Sequence, residues 1–412
     1  MRLAAWLVCA ACLICATCLH AQSTFTQRGF FETRTTLYPQ AAVNDSGRVV
    51  SEGLLRWEPA WQPSSNWVFA ASLDARTDTH RQVEREARFD WQDRRLLRPA
   101  FSLRRASVAY HRGGLHVELG KQFIRWGKAD ILNPVDRFAP RDFLSVVDND
   151  FLAVLGARVT YERGNNTIDF VTTPRFTPSR VPLLNQRWAA LPEEAAQLRF
   201  LDMGSRLPGR AQFGVRFNRN AGPYEYSVVF FDGFHYLPLF EGNLRFPTFE
   251  IEFTRAYPSL RLYGGDAAVP LPWFTLKTEA AWFTSRTKTA DEYVLYVIQL
   301  ERTVGEWVFV GGYSGEAVTT RRNPSGFAPD RGLADAFLGR ASYTIGPRRS
   351  IAFEAAIRQT GDGAWLKTEY THTFGRNWRA LAGFTLIRGI PTDFLGQYRR
   401  NSHGLFALRY SF

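Results

Sequence analysis

From Thr24 onward, apolar and polar positions alternate with a period of two, and turn-forming clusters interrupt the pattern at regular intervals. The stretch WVFAASLDAR sets Trp67, Phe69, Ala71, Leu73 and Ala75 on one face and Ala70, Ser72, Asp74 and Arg76 on the other. QFGVRFN sets Phe213, Val215 and Phe217 against Gln212, Gly214, Arg216 and Asn218. YEYSVVF, SIAFEAAIR and WRALAGFTL repeat the pattern. Alternation sustained over about nine residues predicts strands, because successive strand side chains point to opposite faces.

The connections alternate in length. QPSSN, RGG, RGNN, NAGP, VGE, GPRR and GRN are tight turns rich in Gly, Pro and Asn. Between them lie long polar segments, among them Thr79 to Pro99, Trp126 to Phe151 and Pro174 to Arg210. Short turns on one side and long loops on the other predict an all-β, antiparallel, up-and-down transmembrane barrel with short periplasmic turns and long extracellular loops. Lipid offers no hydrogen-bond partners, so such a sheet must close on itself. A soluble β-sandwich, the alternative, has no need of so many strands of about ten residues. About 18 strands are expected, with 16 as the fallback. The first runs near Phe25 to Tyr38 and the last from His403 to Phe412. FEIEFTRAYPSLRLYGG reads either as one strand bent at Pro258 or as two short ones. Trp67, Tyr110, Tyr161, Tyr224, Trp307 and Trp378 fall near turns, where interfacial girdle residues belong.

Composition fits one large sheet. Thirty-three Phe, 15 Tyr and 12 Trp accompany only two Met, and no linker divides residues 22–412. Residues 1–21 read as a secretory leader, with Arg2, an apolar core and Leu19-His20-Ala21 before Gln22. A retained, acylated Cys18 is the lesser alternative, since its context lacks the usual Leu three positions earlier. All four cysteines lie in the leader, which leaves no disulfide, thiol nucleophile or Cys-ligated metal in the remainder. The formal charge is +12, or +11 without Arg2. In an exported chain this balance excludes nucleic acid as the working partner and favours anionic headgroups or an anionic solute. The expected address is the outer membrane of a Gram-negative cell, as an integral protein. The closing LFALRYSF resembles the terminal strand recognised by the barrel assembly machinery.

With the apolar face assigned to lipid, the other face carries Glu118, Arg216, Glu225, Lys277, Glu279, Arg358, Lys367 and Glu369, along with Glu301, Glu316, Arg340, Glu354, Arg379 and Arg409. These charges either shape solute selection in a polar conduit or brace the inner wall as cross-strand ion pairs. The segment Thr79 to Pro99 contains six arginines interleaved with Glu84, Glu86, Asp90 and Asp93. Those arginines either pair within the loop or meet lipopolysaccharide phosphates.

Catalytic signatures are missing. His111 and His116 flank a short turn, and His80 and His235 stand in loops without a metal-binding spacing. There is no GxSxG. Asp148 and Asp150 are close, but such carboxylate pairs are unspecific. No enzyme activity, cofactor or metal site is expected.

One passage stands out: GKQFIRWGKADILNPVDRFAPRDF, Gly120 to Phe143. LHVELGKQFIR reads as the fifth strand and Trp126 to Phe151 as the third outer loop. Asn133-Pro134 and Ala139-Pro140 stiffen the backbone at two points. Trp126-Gly127 offers a bulky anchor beside a site of close approach. Asp130, Asp136 and Asp142 have Lys128, Arg137 and Arg141 as partners within the loop, or else charges of the wall. An ordered surface loop and a segment folded into the lumen, as the third loop of general porins is, both fit. The pattern GKQ…WG followed by D…NP.D…PRD resembles a motif of an uncharacterised family of outer-membrane barrels distantly similar to alginate-export porins, some associated with exporters of lipid or hydrophobic compounds. The resemblance covers about 25 residues. It implies an export or uptake conduit with an inserted loop, carried by Trp126, Gly127, Asp130, Asn133, Pro134, Asp136, Pro140, Arg141 and Asp142, and it makes an inner-membrane exporter a candidate partner. The expected function is therefore a porin-like conduit for a small or amphiphilic solute, with anionic solutes favoured. The alternative is a plugged structural barrel that binds surface polysaccharide or lipid. Oligomeric state is not readable.

Overall fold

The computed structural model describes residues 23–130, 132–191, 198–245, 250–322 and 331–412; the leader read at 1–21 lies outside them. Eighteen antiparallel strands form one closed sheet among the described residues. The first nine are β1 (Thr24–Leu37), β2 (Val49–Ser64), β3 (Trp67–Asp78), β4 (Phe101–Arg112), β5 (Leu115–Gln122), β6 (Val154–Arg163), β7 (Asn166–Thr173), β8 (Gln212–Ala221) and β9 (Tyr224–Phe234). The rest are β10 (Ser259–Pro270), β11 (Thr275–Thr284), β12 (Glu292–Val304), β13 (Trp307–Thr320), β14 (Ala336–Gly346), β15 (Arg349–Arg358), β16 (Ala364–Phe374), β17 (Trp378–Arg388) and β18 (His403–Ser411). Each pairs with its sequence neighbours, and β1 pairs with β18 in the register Phe31↔Tyr410 to close the ring. Gly29 and Phe412 exchange both backbone hydrogen bonds at the seam, at 3.0 and 2.9 Å.

The alternation read from the sequence decides which side faces out. Phe213, Val215 and Phe217 on β8 are exposed, whereas Gln212 and Gly214 are buried inside. At the short-turn rim, Trp67 packs on Tyr110, Trp307 on Tyr343 and Trp378 on Tyr410, with ring centroids 4.8, 4.7 and 5.0 Å apart. These cross-strand aromatic pairs form a girdle where an amphipathic ring has one wet and one apolar side. Turns here are two to four residues long; Gly113 and Gly164, at φ 57° and 58°, supply the left-handed backbone that such turns demand.

The ambiguous passage at Pro258 resolves into two elements. Glu250–Ala256 leaves the barrel and joins Leu239–Arg245 and Arg199–Arg206 in a small separate sheet, while Ser259–Pro270 is the wall strand β10. The count of 18 is preserved because only one of the two lies in the wall.

One expectation fails in detail. The fifth strand ends at Gln122, not at Arg125. Just beyond, Asp136 accepts the backbone N–H groups of Trp126 and Gly127, the latter at 2.6 Å, and holds the segment off the wall. The chain turns off the wall three residues early.

Candidate functional site

Residues 123–153 connect β5 to β6, and the described ones make contacts with other wall strands, mostly β9 to β12. The Lys128 ammonium is 3.0 Å from Glu225 on β9 and 2.9 Å from Asp266 on β10. One carboxylate oxygen of Glu279 on β11 accepts the backbone N–H groups of both Lys128 and Ala129. Asp130 pairs with Lys277 at 3.1 Å, and its backbone N–H donates to Gln299 Oε1 on β12 at 2.9 Å. Trp126 is buried and donates its indole N–H to Asp169 on β7 at 3.1 Å. A Cβ at Gly127 would stand 2.8 Å from Asn133 and 3.0 Å from Glu279, so the close approach requires glycine.

These polar tethers surround an apolar cluster. Ile124, Trp126, Val135 and Phe138 pack against Val229 and Phe231 of β9, Leu260 and Leu262 of β10, Phe283 of β11 and Leu295 of β12. Phe138 meets Trp126 and Phe231 edge to face, with centroids 5.2 and 5.0 Å apart. Burial of large side chains on both sides of the segment is the main force holding it, at roughly 1.5–3 kcal/mol for each one fully removed from water.

The far half of the same connection is fixed by charge. Lys121, Asp93, Arg180, Asp142, Arg98 and Glu52 form an unbroken alternating series. Asp142 sits between Arg98 at 3.0 Å and Arg180 at 3.1 Å. Three long connections thereby meet at one carboxylate. Burial would raise its pKa, but the two guanidiniums outweigh burial and hold it well below the usual carboxylate range. Further along, Asp148 contacts Lys367 on β16 at 2.7 Å, and Lys367 also reaches Glu369 at 3.1 Å. Between Asp148–Asp150 and the inner wall of β1, β2, β3 and β16 is a polar cavity of about 230 Å³, lined by Arg34, Glu52, Arg76, Lys367 and Glu369 among others. Beside it stands Arg104 of β4, which has no carboxylate within ion-pair distance among the described residues and lies 4.8 Å over the Phe123 ring.

Several of the charges read as inward form cross-strand or wall-to-loop pairs. Arg105 reaches Glu118 at 2.9 Å, Arg216 reaches Asp266 at 3.1 Å, Lys277 reaches Glu301 at 2.6 Å and Arg358 reaches Asp393 at 2.9 Å. Of the two alternatives for the loop carboxylates, Asp130 takes a wall partner, Lys277, and the pairings within the 126–142 segment do not form. Asp136 meets Arg125 at 3.3 Å; Arg137 lies over Phe283 and Arg141 over Phe151. Pro134 and Pro140 are both buried, as are Asn133 and Asp142. The inner apolar patch on β9 to β12 was missed. Its signal is present: VVFFDGF and YVLYVIQL are apolar at both parities, which means that both faces are covered.

Histidines are used structurally. His111 and His116 hydrogen-bond across a short turn at 2.7 Å, His80 bonds Asp45, and buried His403 contacts the Asn401 carbonyl at 2.8 Å. Among the described residues, no three of His, Cys, Asp and Glu converge as a metal site.

No family model and no curated protein matches the sequence. Solved structures do share its architecture. A BenF-like porin from Pseudomonas fluorescens Pf-5 aligns with a TM-score of 0.56 at 10% identity, over 95% of this chain and 98% of that one. OccK3 (OpdO) from Pseudomonas aeruginosa aligns at 0.52 with 12% identity, over 94% of this chain and 95% of its own. OpdQ from the same organism aligns at 0.51 with 9% identity, over 95% and 99%. At such identities the likeness is one of fold: the chain shares the closed-barrel architecture of these porins.

Proposed function

We propose that this barrel is an outer-membrane channel whose 123–153 connection narrows the lumen and leaves a polar passage along β1 to β3. The observation that carries the reading is Lys128, which is covalently tied to β5 and yet ion-paired with Glu225 and Asp266 on the facing strands. Such a segment divides the interior. One half is filled by the Trp126–Phe138 cluster, and the other retains the polar cavity beside Asp148. The basic balance of the chain, with a formal charge of +12, favours a small anionic or amphiphilic solute. The cavity lining is mixed in charge, with Arg34, Arg76, Arg98 and Lys367 against Glu32, Glu52, Asp148, Asp150 and Glu369, so passage depends on shape and charge and needs no chemistry.

The test is conductance in planar bilayers. The reading expects discrete, weakly anion-selective steps that grow when residues 131–142 are deleted. A barrel that stays silent both intact and after that deletion sinks the channel reading and favours a plugged surface barrel. The buried packing of Trp188 against Tyr38, Val50 and Tyr398 at the mouth is the feature that speaks for such a plug.

A further inference from the structure

On the outside of the barrel, the second and fourth long connections build a patch that the channel reading does not use. Phe89 lies beside Phe101, the first residue of β4, in a two-residue parallel pairing. Phe89, Phe101 and Trp91 are respectively 55%, 46% and 40% exposed. Asp90 fixes the turn by accepting the N–H groups of Gln92 and Asp93 at 3.2 and 3.1 Å. Phe101 marks the outer end of a wall strand, so this apolar triad continues the lipid-facing surface upward, to the level of headgroups.

Two arginines stand against it. Arg175 lies over the Trp91 ring, 5.7 Å from its centroid. Arg94 is half-buried and is anchored through Nε to the Phe176 carbonyl at 2.9 Å. Neighbouring arginines of the same connection are neutralised: Arg95 by Glu84 at 2.7 Å, Arg85 by Asp78 at 3.2 Å, and Arg98 by Asp142. Arg94 and Arg175 have no carboxylate partner among the described residues. Burial, and then the nearby Arg175, depress the basicity of Arg94, so the two like charges stand near each other without a carboxylate between them among the described residues. Planar guanidiniums in that state offer paired donors to a phosphate. An apolar surface directly below adds room for an acyl chain.

The geometry points to a binding site for the phosphorylated glycolipid of the outer leaflet, with Arg94 and Arg175 on a phosphate and Phe89, Trp91 and Phe101 against the lipid portion. This inference rests on the outer-membrane reading but not on conduction, so a barrel that conducts and retains no glycolipid overturns this proposal alone.

Native mass spectrometry of the full chain, refolded in detergent and titrated with bisphosphorylated lipid A, gives the test. One lipid A is expected per barrel. Arg94→Gln with Arg175→Gln should weaken it about thirtyfold, from roughly 1 kcal/mol per cation, while Arg81→Gln, which removes an unpaired charge elsewhere in the loops, should leave it unchanged. Arg175 is exposed, so Arg175→Gln alone carries the test if the double variant does not refold, with a loss of about fivefold. Unaltered affinity in the arginine variants overturns the site. Equal loss in Arg81→Gln reduces it to net charge. Equal binding of dephosphorylated lipid A, or displacement by millimolar inorganic phosphate, overturns it in favour of lipid packing or of a free-anion site.

Discussion

The Lys128 ammonium and the buried Asp266 carboxylate lie 2.9 Å apart, although one belongs to the connection after β5 and the other to the facing strand β10. Asp266 retains Arg216 at 3.1 Å and the Ser227 hydroxyl when Lys128 is removed. Lys128→Met should therefore cost about 1.5–3 kcal/mol, the worth of a hydrogen bond to a charged group, and not the larger penalty of an orphaned buried ion. Urea unfolding in lipid vesicles measures this directly. An unchanged midpoint would mean that the segment does not reach the far wall.

Trp126 combines packing and a hydrogen bond, and two substitutions separate them. Trp126→Ala opens the cluster formed with Phe138 and Phe231 and should cost about 3–5 kcal/mol. Trp126→Phe keeps most of the contact and gives up the bond to Asp169, which still holds Arg158 and Thr160; about 1 kcal/mol is expected. The ordering of the two variants in the same unfolding experiment is the prediction. Phe costing as much as Ala would place the energy in the hydrogen bond.

The wall was legible because lipid imposes a rule at every second residue: Phe213, Val215 and Phe217 must be apolar wherever the loops go. The same rule located the Trp67–Tyr110 girdle pair. The interior obeys no such rule. Phe231, Leu262 and Phe283 are apolar on the inner side because Trp126 and Phe138 cover them, and that cover comes from 93 to 157 residues away in sequence. Asp142 shows the same limit. Its natural partner by proximity was Arg141, but adjacent residues of an extended backbone point to opposite sides. Arg141 lies over Phe151 while Asp142 meets Arg98 and Arg180 from two other connections. Where residues 98, 142 and 180 converge is a property of closure, and local pattern carries no trace of it.

Acid should loosen these connections only well below neutrality. Asp142 and Asp148 both lie outside the wall strands, and both have pKa values held below the usual carboxylate range: burial opposes ionisation, but Arg98 and Arg180 in one case, and His403 and Lys367 in the other, outweigh it. A carboxylate whose folded pKa is depressed adds stability that is fully present above its unfolded value of about 3.9 and is lost as pH falls through the folded value. Single-channel conductance should thus be flat from pH 7 to about 4 and become noisy or larger only in stronger acid. Asp142→Asn should bring that behaviour to neutral pH. A transition centred near pH 6 in the parent protein would contradict the assignment.

Arg104 permits a selectivity test with little structural cost. It has no ion pair to break among the described residues, and it lines a smaller cavity of about 30 Å³ whose Asp150 and Arg76 also line the polar cavity. Arg104→Gln should leave the unfolding midpoint within about 0.5 kcal/mol of the parent, as a change that disrupts no buried pair. A unit charge a few ångströms from a permeating ion is worth about 1 kcal/mol in water, so chloride-over-potassium permeability should fall by a factor of about five at low salt. Because the Debye length shrinks from about 10 Å at 0.1 M to about 3 Å at 1 M, the difference should nearly vanish in 1 M KCl. Reversal potentials under a salt gradient measure both arms. A permeability ratio that does not move at low salt would remove Arg104 from the conduction path and shift the passage away from β4.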